Sequence, residues 1–75
     1  MLIHSVSFIG WKSPEARAWL KAHGYKPIKR VHVVKVNGLI TQRRYRIRPP
    51  EMFKRFITKK IKMNDGKEIN LIFGI

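Results

Sequence analysis

Cysteine is absent, which excludes disulfide staples, zinc knuckles and thiol nucleophiles. Acid is scarce: 4 Asp+Glu stand against 17 Lys+Arg, a formal net charge of +13 over 75 residues. The few carboxylates read as structural. Glu15 sits where a helix starts, Asp65 in a turn, Glu68 at a solvent-facing strand position, and Glu51 after a proline pair. No two of them fall at a spacing that supplies an acid and a base, so no catalytic residue is expected. A glycine-rich phosphate loop is also missing, because Gly10, Gly24, Gly38, Gly66 and Gly74 stand singly. His4, His23 and His32 lie on three different expected elements without ligand spacing, so neither a metal nor a cofactor nor a small-molecule substrate is expected. No apolar run approaches the ~20 residues of a membrane span. Met1 to Ile9 is too short and too polar for a signal peptide, which predicts an intracellular rather than a secreted chain.

What remains is cation and a moderate core. Hydrophobic residues make up 44% of the chain, enough for one domain over residues 1–75 and too many for a disordered basic tail. A domain this small buries only about 60% of the surface its unfolded chain exposes, so its stability is marginal and a binding partner adds to it. A strongly positive field points to a polyanionic partner, nucleic acid first, with an anionic membrane surface or an acidic protein behind it.

Patterning predicts the elements. Leu2, His4, Val6 and Phe8 alternate with Ile3, Ser5 and Ser7 as in a strand. Ser13-Pro14-Glu15 predicts a helix from about Pro14 to His23, with Ser13 as N-cap, and Ala16, Trp19, Leu20 and His23 as one buried stripe. Gly24 follows as the helix stop, and Pro27 prevents continuation. The β-branched run Val31–Val36 and the segment Leu39–Arg48 flank Asn37-Gly38, the dipeptide of a type I′ hairpin turn. Met52 to Ile57 is ambiguous: Met52, Phe53, Phe56, Ile57 and Ile61 fit a helix opened by Pro50, whereas Ile57, Ile61 and Met63 fit a strand. The turn residues Asn64-Asp65-Gly66 need a strand on each side. This favours a short turn at Pro50–Phe53, a strand from about Phe56, and a last strand with Ile69, Leu71 and Phe73 inward. The expected fold is α+β, a small mostly antiparallel sheet of about five strands with one α-helix packed on one face.

The charge concentrates in residues 43–62, where Arg43, Arg44, Arg46, Arg48, Lys54, Arg55, Lys59, Lys60 and Lys62 stand against Glu51 alone. Strand alternation places Arg44, Arg46 and Arg48 on one face. Guanidinium forks grip phosphate or carboxylate bidentately and keep their charge when buried, so these nine residues are the expected anion-binding set. Cations on an exposed strand also deter edge-to-edge aggregation, but one or two would serve that purpose. Phe53 and Phe56, interleaved with Lys54 and Arg55, are either core residues or anchors into a partner. Trp19 and Tyr45 read as core.

The stretch Trp11-Lys12-Ser13-Pro14-Glu15-Ala16-Arg17-Ala18-Trp19-Leu20-Lys21-Ala22-His23-Gly24-Tyr25-Lys26, with Tyr45-Arg46-Ile47-Arg48 and Phe56-Ile57-Thr58-Lys59-Lys60-Ile61 after it, resembles a small module encoded by tailed phages and some other DNA viruses. That module carries a WSxxEAxxWLKxHGY helix, YRxR and FRTKKI strands and a C-terminal GI. Ile57 stands where the third motif has Arg, one cation fewer. The resemblance covers most of the chain. It implies a virion-associated protein, a minor capsid or internal component contacting genome nucleic acid or capsid proteins. A free nucleic-acid-binding regulator or inhibitor is the alternative.

Overall fold

Lys12 is extended (φ −82°, ψ 153°) and its backbone N–H donates to the Glu15 carboxylate at 3.2 Å, which opens helix α1 at Ser13–Ala22. The cap position is therefore Lys12 and not Ser13. The computed structural model describes residues 1–75. Strand β1 (Leu2–Ile9) precedes the helix; β2 (His32–Val36), β3 (Leu39–Arg46), a 3₁₀ turn at Pro50–Met52, β4 (Phe56–Lys62) and β5 (Glu68–Gly74) follow it. The ambiguous segment thus resolves into a turn and a strand. Asn37 (φ 52°) and Gly38 (φ 79°) both take the positive φ of a type I′ turn between β2 and β3.

The five strands form one antiparallel sheet in the order β2-β3-β1-β5-β4, an α+β fold with its single helix on one face. Beneath the helix, Val6 and Phe8 of β1, Tyr45 of β3, Ile69 of β5 and the nearby Ile47 meet Ala16 and Leu20. Phe8 is the hub: its ring meets Trp11, Trp19 and Tyr45 edge-on at 5.2–5.7 Å. Burying one leucine-sized side chain here stabilises the fold by about 1.5–3 kcal/mol, so the helix is held by Leu20 and its neighbours. The stripe is narrower than its spacing predicts. Trp19 is half-buried, and His23 is exposed because the helix has ended; its ring stacks on Trp19 at 3.8 Å, with Nδ1 2.8 Å from the Trp19 carbonyl.

Two departures from strict alternation shape the other face. The β1–β5 register shifts between Ile3 and Ser5, so β1 carries one extra residue, a β-bulge. Ile3 consequently joins the core, while His4 turns to the uncovered face beside Ser5, against the even-residue pattern read from the sequence. At the far end of β3 the strand stops at Arg46 and not at Arg48, because the Ile47 and Arg48 N–H groups both donate to the His4 carbonyl.

Candidate nucleic-acid interface

The strand register sets the uncovered face row by row. One row runs His32, Arg44, Ser7, Asn70, Lys60 across all five strands, and the next runs Arg46, Ser5, Ile72, Thr58 across four. In the first row small polar residues occupy the centre with Arg44 and Lys60 on either side. In the second, Arg46 flanks Ser5 and Ile72 on one side only. Arg44 lies over the middle, its Nε donating to Ser5 Oγ at 3.3 Å, and Ser5 and Ser7 are buried under such neighbours although no helix covers them. Glu68, opposite Lys62, is the acid on this face.

Two depressions share Arg44 and Arg46 as a common wall. One, of about 380 Å³, is completed by Lys29, Arg30 and His32, so every side chain around it is a cation or an imidazole. The other, of about 450 Å³, reaches His4, Phe56, Thr58 and Ile72. Together they make a track from the β2 edge to the aromatic corner of the sheet. In that corner His4 meets Phe56 edge-on at 4.9 Å and Phe53 at 6.1 Å. Phe53 is half-buried with its ring over Gly74, where a Cβ would run into it. Phe56 is 45% exposed and offers its ring outward.

The imidazole of His4 titrates below its ordinary 6.5, because burial penalises its charged form and the Arg44 and Arg46 cations add repulsion. Its Nδ1 and the Oδ1 of Asn70 are buried without a hydrogen-bond partner, and both belong to this face. Such groups cost free energy until something pairs with them.

The nine basic residues expected as one set are divided by the fold. Arg44, Arg46, Lys60 and Lys62 lie on the uncovered face. Arg43 and Lys59 alternate to the helix side, where Arg43 Nε donates to the Trp11 carbonyl at 3.1 Å. Arg48 falls beyond the strand and donates from Nη1 to the Ile3 carbonyl at 2.9 Å, which ties down the bulge rather than extending the arginine row. Lys54 and Arg55 precede β4, exposed, with their backbones paired to Ile75. Lys29, Arg30, His32 and His4 were not among the expected binding residues. The Lys29-Arg30 pair just before a strand was the available signal for the first three; the bulge hid His4.

Glu15 and Asp65 are engaged on the helix side. Glu15 Oε2 accepts from Lys67 Nζ at 2.7 Å, which lowers the Glu15 pKa and raises that of Lys67, and Lys67 also reaches Asp65 at 3.6 Å. No group of three or more His, Cys, Asp or Glu side chains could hold a metal ion, and no helix is long and apolar enough to cross a membrane. Comparison of the chain with family models, curated proteins and solved structures finds no match in any of the three.

Proposed function

We propose that this is a non-enzymatic protein that binds single-stranded nucleic acid across the uncovered face of its sheet. The observation that carries this reading is the continuous track from Lys29, Arg30 and His32 through Arg44 and Arg46 to His4 and Phe56. Cations that follow a phosphate backbone, ending at an exposed aromatic on which a base can stack, are the working parts of single-strand binding. Duplex DNA suits this face poorly. Its major groove is about 12 Å wide and admits a two-stranded ribbon, whereas five strands spaced at ~4.8 Å span roughly 19 Å.

The proposed setting is a virus particle, as a minor capsid or internal protein, and it rests on the motif resemblance. A capsid-protein contact is the second reading. It is favoured by the tip of the β2–β3 hairpin, where Val36 and Leu39 are exposed beside Val34 and Ile40.

The test is anisotropy of labelled dT oligonucleotides against salt. Each phosphate contact contributes about 0.7 to the log–log slope on single strands. Arg44→Ala/Arg46→Ala should therefore lower the slope by about 1.4 and weaken binding, while Lys12→Ala/Lys59→Ala, the same charge change on the helix side, should leave the slope nearly intact. Equal losses from the two pairs would mean attraction without a defined face. Mass spectrometry of purified particles decides the setting: fixed copy number supports the virion, and occurrence only in infected-cell extract supports a free regulator.

A further inference from the structure

On the opposite side of the molecule from the aromatic corner, a cleft of about 570 Å³ opens under the C-terminal end of α1. Leu20, Val31 and the rings of Tyr25 and Tyr45 form its apolar part, and Arg17 and Lys21 of the helix, with Lys26, Lys29 and Arg30 of the following loop, form its rim. Tyr45 is 3% exposed and Leu20 2%, so both close the floor of the cleft from below. An open cleft with an apolar floor and a cationic rim suits a small ligand that joins an apolar ring to an anion.

We propose that this cleft binds a planar ring bearing a phosphate, the chemistry of a nucleotide. The ring fills the space against Tyr25 and Val31 above Leu20 and Tyr45, and the phosphate meets the rim cations. The size agrees, since sites for small molecules and cofactors run from about 300 to 1,000 Å³. The site does not depend on the single-strand reading. The two share Lys29 and Arg30, but Arg17, Lys21 and Tyr45 belong to the cleft, and Arg44 and Arg46 to the sheet face.

A free nucleotide and the phosphorylated end of a strand present the same group, and both are probed. AMP, adenosine, inorganic phosphate and a 5′-phosphorylated dA octanucleotide are titrated into the isotope-labelled protein and followed by amide chemical shifts. Saturable AMP shifts centred on Leu20, Gly24, Tyr25 and Val31 are expected, with adenosine and phosphate each at least about tenfold weaker. Arg17→Gln/Lys21→Gln should weaken AMP at least about tenfold. AMP binding retained in Arg44→Ala/Arg46→Ala assigns a free nucleotide. Octanucleotide shifts at the same amides without detectable AMP binding assign a strand end. Phosphate as tight as AMP, shifts mapping to the sheet face, or no shift at the cleft from either nucleotide probe would each overturn the proposal.

Discussion

His4 carries two roles that pull on its protonation. Its ring packs between Phe56 and Phe53, and burial, together with Arg44 and Arg46, keeps it neutral further down the pH scale than a free imidazole. The unfolded chain therefore takes up this proton at a higher pH than the fold does. The stabilisation is complete above pH 6.5 and is lost as pH falls from 6.5 through the lower folded value. An NMR titration of the His4 ring should give a midpoint below 6.5. Arg44→Ala/Arg46→Ala should raise it only part of the way, because burial is the larger cause. A midpoint that does not move would show that the arginines do not act on the ring. A phosphate bound between them would offset the same repulsion, so saturating oligonucleotide should raise the wild-type midpoint as well.

At the level of elements, the helix is the part whose loss the sheet can least absorb, since Ala16 and Leu20 close the core over Phe8, Val6 and Tyr45. Leu20→Ala should cost about 2–5 kcal/mol, comparable to the whole stability of a domain this small. Half-buried Trp19 should cost less, and chemical denaturation of the two variants checks the order. These elements were largely legible in the chain. Pro14 and Glu15 open the helix, Asn37-Gly38 dictates a tight hairpin, and Asn64-Asp65-Gly66 implies the last one, because each is a local backbone requirement. Less legible was anything set by pairing between distant strands. Nothing local distinguishes the bulge at His4, and strict alternation assigns His4 and Ile3 to the wrong faces. Arg48 looks like a third member of the arginine row until the Ile3 carbonyl is seen to hold it. Lys29 and Arg30 join Arg44 and Arg46 only because β2 lies beside β3.

For the whole molecule the deciding quantity is +13 spread over a body of 33 × 25 × 20 Å. Like charges at that density repel one another in the fold more than in the expanded chain, so neutralisation favours the folded state. A single-stranded oligonucleotide at about 100 times its Kd adds about 2.7 kcal/mol, which for a domain of this length is roughly 10–20 °C in Tm. Thermal melting with and without dT oligonucleotide should show that rise at low salt and its shrinkage as salt is added. A Tm indifferent to the oligonucleotide would mean that the strand does not prefer the folded protein.

The bulge in β1 has a consequence in the language of insertions and deletions. His4 is the surplus residue of that strand, and without it Ile3 and Ser5 would be ordinary neighbours facing opposite sides, as they already do. Loss of this one codon would remove an imidazole from the uncovered face and leave the inward set of Ile3, Val6 and Phe8 in phase. The same loss at Val6 would seat the Ser5 hydroxyl where the core now holds a fully buried valine. Two codons apart, one deletion edits the binding surface and the other edits the core.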